Sequence, residues 1–424
     1  MLQLWFIANT ILWAISVKAG GFELGLNVVL LMIVGALWLG VHRRVATSSV
    51  TAIAALLGYL ILSLVVAGVG PCRDLFPKLL VTGPILIFLI LIGLEIGNRA
   101  RLKDWLNLQK AAIWGLVLAF SGFLAEAIAP SKFPNRGGFR MEGRYSGLFK
   151  EPSHVAFALF PCVAVLLVAE SKKIRRGGLF ALIALLIFSR SSTLLALTAA
   201  WLVYRLLVQK NRRQVVLLAL GVVALIALAC AIDYDRLIAP TVDRIAGVAA
   251  SSGSDNMSSL LYVQGWQDAW GNLARTHGIG LGFNMMGCHP LPNVPLRDVL
   301  TTMGFDEPNA QDGTFLFAKI LSEAGIGGVA FYLAIAWSWL HLEKRVRNAH
   351  DARERVMAST QAALIFCFVA SSFIRSEGYF SGGLLLWVVA IPAAPHWRGS
   401  FSAKGVIAPT TPRTDVTPKA RTNC

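Results

Sequence analysis

The chain has 424 residues, of which 56% are hydrophobic and only 15% charged, with a formal net charge of +16. Soluble globular proteins carry about 25% charged residues, and a mean hydropathy of +0.63 leaves too little polar side chain to cover a water-soluble domain of this length. The composition therefore excludes a soluble enzyme and indicates an integral membrane protein. Six Cys without a C-x-x-C, and no Cys/His pair at zinc spacing, exclude a disulfide framework or a structural metal as organiser.

A spanning helix needs roughly 20 mostly apolar residues bounded by charge, Gly or Pro. In chain order the sequence predicts spans at Leu2 to Val17, Leu24 to Val41, Val50 to Val69, Leu79 to Gly97, Ala111 to Ala129 and Ser153 to Ala169. Six more are expected at Gly177 to Phe188, Ser191 to Val208, Val215 to Ile232, Thr314 to Leu340, Ala358 to Ile374 and Tyr379 to Ala394. The first segment lacks a basic leader and an A-x-A site, so it reads as a membrane helix rather than a cleaved signal. The expected fold class is thus all-α, a polytopic membrane protein of about twelve helices.

With the N-terminus in the cytoplasm, the inner segments hold 24 Lys/Arg against six Asp/Glu, whereas the outer ones hold 14 of each. Positive residues gather on the cytoplasmic side of membrane proteins. The bias sets both termini in the cytoplasm, and it removes nucleic acid as the explanation of the basic balance. Reading Leu179 to Val208 as one long helix would reverse everything downstream against that bias, so a tight outer turn is expected at Ser189-Arg190-Ser191-Ser192.

Two outer segments are long: Pro130 to Pro152, basic and Gly-rich, and residues 233–313, which carry an amphipathic stretch around Leu260, Tyr262, Trp266, Trp270 and Leu273. The organisation expected is a transmembrane domain over residues 1–398 and a polar, Pro/Thr-rich cytoplasmic tail over 399–424 with too few apolar residues to form a core.

Chemistry-bearing residues concentrate on the outer side. Arg144, Arg190, Arg275 and Arg375 lie at different span or loop ends, and guanidinium is the group suited to bidentate contact with phosphate oxygens. Any one of them also fits the plainer role of meeting lipid headgroups. Glu151 and His154 stand at the start of the sixth span, where Pro152 suits a first helical turn. Lys319 and Glu323 lie one turn apart and can pair with each other, as function or as a structural clasp. Glu95 and Glu126 fall near span ends, where snorkelling explains them. Asp233 and Asp235 form a D-x-D, a spacing common by chance. His277 and His289 read as solvated loop histidines. Cys72 and Cys288 both fall in outer loops and could pair in an oxidising periplasm. The cytoplasmic loops hold no Gly-rich phosphate fingerprint.

Five pieces in order carry a resemblance. They are Arg144-Tyr145-Ser146-Gly147-Leu148-Phe149-Lys150-Glu151-Pro152-Ser153-His154; Ile187-Phe188-Ser189-Arg190-Ser191; and Trp266 and Trp270 followed by Gly278-Ile279-Gly280-Leu281-Gly282-Phe283. The last two are Phe315-Leu316-Phe317-Ala318-Lys319-Ile320-Leu321-Ser322-Glu323-Ala324-Gly325 and Phe373-Ile374-Arg375-Ser376-Glu377-Gly378-Tyr379-Phe380. Together they resemble the O-antigen polymerase and ligase (Wzy-like) family, from about Arg140 to Tyr379. The resemblance implies a C-type glycosyltransferase-like fold in the bacterial inner membrane, acting at the periplasmic face on undecaprenyl-pyrophosphate-linked oligosaccharide, with no metal and no cofactor. A flippase and a chain-length regulator are the protein partners it would call for. Ligases carry a His-Asn pair shortly before the Gly corresponding to Gly325; here Thr314-Phe315 occupies that place, which favours an exopolysaccharide or O-antigen polymerase over a ligase. A multi-span transporter is the third alternative, disfavoured by the lack of similarity between halves.

Loss of a pyrophosphate from an anomeric carbon builds charge that fixed cations stabilise, and the attacking hydroxyl needs a base within hydrogen-bond reach. The expected assignment is Arg144, Arg190 and Arg375 on the pyrophosphate with Arg275 as a fourth, Glu151 then His154 as base, and Tyr145, Trp266, Trp270 and Tyr379 against sugar faces.

Overall fold

A computed structural model of the chain describes residues 1–19, 22–42, 44–68, 76–129, 145–149, 151–208, 216, 220, 257–287, 314–374 and 378–391. Among these the protein is helical apart from one short hairpin. The N-terminal elements are α1 (Leu2–Thr10), a 3-10 turn (Leu12–Ala14), β1 (Ser16–Ala19), β2 (Phe22–Gly25) and α2 (Leu26–Val41). Next come α3 (Thr47–Gly68), α4 (Phe76–Arg99), α5 (Leu102–Ile128), α6 (Pro152–Leu167), α7 (Lys172–Ser189) and α8 (Ser192–Val208). The rest are α9 (Met257–Arg275), α10 (Leu316–Ala324), α11 (Ile326–Asn348), α12 (Ala352–Ile374) and α13 (Gly382–Ala390).

Among the described residues four helices are long and apolar enough to cross a membrane, over Thr47–Val65, Lys78–Arg99, Leu102–Ile128 and Ala352–Ile374, and α2, α6 and α8 are shorter apolar helices. They fold as an antiparallel bundle because two- to four-residue turns join α4 to α5, α6 to α7, α7 to α8 and α11 to α12. The centre is α6, which packs against α5, α7, α8 and α12 and buries every side chain from Val155 to Leu166. A helix apolar all round has no solvent face to satisfy. By contrast α3 leaves Leu57, Ile61, Leu62 and Val65 on the outside, the surface that acyl chains cover.

The N-terminus departs from a single continuous span. α1 has nine residues and lies inside the bundle, where the buried Trp5 indole donates to the Leu385 carbonyl of α13 at 2.9 Å. The chain then turns through an antiparallel hairpin with Ser16 opposite Gly25, so the predicted first and second spans are shorter helices joined by strands. The predicted tenth span is also divided: α10 stops at Gly325, whose φ of 57° belongs to the left-handed region where glycine carries no Cβ penalty. α11 begins on the next residue. The predicted ninth span lies outside the described residues, apart from the helical Val216 and Leu220.

The described parts of the predicted basic segments gather at one end. There Arg99 pairs with Glu95 at 3.1 Å and Arg345 with Glu354 at 2.8 Å. Glu95 is not a snorkelling acid. Fully buried, it accepts the Ala46 amide at 2.8 Å and the Ser49 hydroxyl at 2.5 Å, which anchors the start of α3. At the same end Tyr204 donates to Glu343, under the rings of Trp339 and Phe366.

Candidate functional site

The opposite end of the bundle carries the Arg190 turn and the start of α6, where part of the sequence-predicted chemistry falls. α7 stops at Ser189 and α8 starts at Ser192, the tight turn expected from sequence. Between them Arg190 takes a left-handed conformation at φ 45°, a region that costs a non-Gly residue about 1–2 kcal/mol. Its Nε is buried and makes no hydrogen bond. A desolvated guanidinium N–H without an acceptor is expensive, and an anionic ligand is the natural partner.

The end of the predicted basic loop is brought to this turn. The Tyr145 amide donates to the Phe188 carbonyl at 3.1 Å, and the two rings meet edge to face, 6.1 Å between centroids. From the other side Glu126 of α5 accepts the amides of Ser146 at 2.9 Å and Gly147 at 2.6 Å. Gly147 has φ 57°, and a Cβ there would crowd the Phe123 ring at 3.0 Å. Glu126, expected to snorkel, is therefore the acceptor that fixes this loop end. Arg144 itself lies outside the described residues.

Four residues after Gly147, Glu151 stands at the N-cap of α6 with Pro152 in the first turn, and the Ser153 hydroxyl donates to Glu151 Oε2 at 3.0 Å. Because α6 runs antiparallel to α7, this N-terminus and the Arg190 turn share one end of the bundle. His154 meets the indole of Trp13 edge-on, 5.1 Å and 77°. Trp13 comes from the 3-10 turn after α1, and no motif in the sequence singled it out.

A second cluster forms around Glu323, which is 1% exposed. Its Oε2 accepts the Asn284 amide at 2.8 Å and the Tyr379 hydroxyl at 2.6 Å; its Oε1 accepts the Met286 amide at 3.2 Å and pairs with Lys319 Nζ at 3.4 Å. The Gly-rich run after α9 wraps this carboxylate: Leu281 and Gly282 donate to the Ser322 and Glu323 carbonyls, both at 2.9 Å, and Ile326 donates to Gly278 at 2.8 Å. Gly278, Gly280 and Gly282 all have positive φ. Asn284 Nδ2 also donates to Thr82 of α4 at 3.2 Å, tying the loop to the bundle.

The remaining predicted residues fall around this cluster. Arg275 ends α9 and donates to Asn272 Oδ1 at 2.7 Å; partial burial lowers its pKa, and the charge of Asp268 opposes that. The Trp266 ring is engaged by Phe315, Phe317 and Phe373, 5.1, 5.4 and 6.4 Å away, and the Tyr379 ring by Phe283 at 4.6 Å. Among the four aromatic candidates it is Trp270 that keeps a largely exposed side chain, 56%. His277 is exposed, as a solvated loop histidine should be. Arg375, Cys72, Cys288, His289, Asp233 and Asp235 lie outside the described residues. No family model matches the chain, and no curated protein matches it.

Proposed function

We propose that this protein is a membrane glycosyltransferase that polymerises undecaprenyl-pyrophosphate-linked oligosaccharide repeat units into a bacterial surface polysaccharide or exopolysaccharide. It would act from the inner membrane, with both termini in the cytoplasm and the reaction at the periplasmic end of the bundle. The observation that carries this reading is the Arg190 turn: a guanidinium with a buried, unpartnered Nε beside the loop end that follows Arg144. The N-terminus of α6, with Glu151 and His154, lies at the same end.

In this reading Arg144, Arg190 and Arg375, with Arg275, hold the pyrophosphate of the donor. Fixed cations stabilise the charge that grows on its oxygens as the anomeric C–O bond breaks. Glu151, with His154 as the second candidate, takes the proton of the attacking acceptor hydroxyl. The departing lipid pyrophosphate carries the bonding electrons, and the glycan is lengthened by one repeat. Trp270 offers its exposed face to sugar.

A polymerase is favoured over a ligase because Thr314 and Phe315 occupy the place of the ligase His-Asn pair, and Phe315 is fully buried against Tyr262 and Trp266, so no base stands there. The test gives purified protein lipid-linked repeat units. A ladder of chain lengths that Arg190→Ala abolishes supports the polymerase; single transfers to a non-repeat acceptor would make it a ligase, and coupled flux without transfer a transporter.

A further inference from the structure

We infer that Glu323 is a positioning residue that couples the loop that follows Arg275 to the segment around Tyr379. The inference rests on the pyrophosphate reading above for its functional consequence and on geometry alone for the coupling.

A single buried carboxylate receives donors from both segments. Asn284 and Met286 donate backbone amides from the loop after α9, and Tyr379 donates its hydroxyl from the segment after α12. Lys319, one turn earlier on α10, balances the charge and sits 5.7 Å from the Tyr379 ring centroid. The fit is tight on both sides of the helix break. A Cβ on Gly280 would come within 2.6 Å of the Gly325 amide nitrogen, and one on Gly325 would run into the Gly278 carbonyl, so loop and break are interlocked rather than merely adjacent. The Phe283 and Tyr379 rings meet at a tilt, 4.6 Å between centroids, closing the contact between the two segments. Arg275 precedes Gly278 by three residues, so the Glu323 carboxylate limits how far the loop that follows this cation can move relative to Tyr379. A carboxylate that accepts several N–H and O–H bonds in a low-dielectric site holds its donors firmly.

The experiment uses the full-length protein in lipid nanodiscs with the variants Glu323→Gln, which keeps shape but loses the charge and one acceptor oxygen, and Tyr379→Phe, which removes one donor. Two measurements are made: amide hydrogen exchange over residues 278–287 and 378–381, and binding of undecaprenyl pyrophosphate by titration. Glu323→Gln is expected to speed exchange in both segments together by about tenfold or more and to weaken undecaprenyl pyrophosphate binding by a similar factor at unchanged stoichiometry. Tyr379→Phe is expected to speed exchange in residues 378–381 and to weaken binding less. A purely structural role would instead lower the fraction of binding-competent protein while leaving Kd unchanged, and that result overturns the inference. Exchange that rises in one segment without the other after Glu323→Gln overturns it as well. Wild-type protein that fails to bind undecaprenyl pyrophosphate at all overturns the pyrophosphate reading and, with it, the positioning role, whereas the exchange data still decide the coupling.

Discussion

Glu126 accepts the backbone amide of Gly147 at 2.6 Å, across 21 residues of chain. One carboxylate at the end of a long apolar helix thereby fixes the loop end that follows Arg144. Replacing Glu126 by Ala leaves the Ser146 and Gly147 amides without acceptors, at about 1–3 kcal/mol per buried unsatisfied group. We expect a lower Tm in nanodiscs and a glycan ladder reduced by at least about tenfold. Gly147→Ala should destabilise as well, by about 1–2 kcal/mol from its positive φ and further from the Phe123 contact. Thermal unfolding by tryptophan fluorescence checks both.

Arg190 separates backbone from chemistry. Its left-handed φ suits glycine, so Arg190→Gly should keep the α7–α8 turn with Tm within about 2 °C of wild type, since Gly removes the αL penalty while adding unfolded-state entropy. On the proposed polymerase reading, polymerisation should nonetheless fall by 100-fold or more, because removal of a transition-state donor typically costs about 10²–10³ in rate. An Arg190→Gly protein that polymerises normally would eliminate this guanidinium from the reaction.

Glu343 makes stability pH-dependent at the basic end. Burial raises its pKa above the usual carboxylate range, opposed by the Tyr204 hydroxyl and by Arg205 and Arg347. The folded state therefore binds a proton at higher pH than the unfolded state. Between an unfolded carboxylate pKa of about 4.3 and the raised value, stability grows as pH falls, and it is lost as pH rises through the folded pKa. Glu343→Gln removes this dependence while keeping a partner for Tyr204. The Tm difference, variant minus wild type, should be more positive at pH 8 than at pH 5.

Gly325 tests the helix break. It has φ 57° and no room for a Cβ against the Gly278 carbonyl, so Gly325→Ala should be among the most disruptive single-methyl additions in the described residues, by more than the positive-φ penalty alone, about 1–2 kcal/mol. Gly327, whose Cβ would meet nothing within 4 Å, lies in the helical first turn of α11, and Gly327→Ala should leave Tm unchanged or raise it. Expression and Tm of the two variants decide the point.

The sequence by itself was enough for the helical class, for the four long apolar helices among the described residues and for the α7–α8 turn at Arg190, since hydrophobic runs and turn residues are local signals. It also marked the Gly278–Gly282 run and the residue types that phosphate chemistry needs. The tertiary structure alone decided what each acid within the helices does. Glu95, Glu126 and Glu323 look alike as isolated carboxylates in apolar helices, yet each accepts backbone amides from a different distant segment, 49, 21 and 39 residues away. The break at Gly325, the commitment of Trp266 to neighbouring aromatic rings and the approach of Trp13 to His154 were hidden for the same reason. A hydrogen-bond donor or a packing surface contributed from far along the chain leaves no periodicity at the residue that receives it.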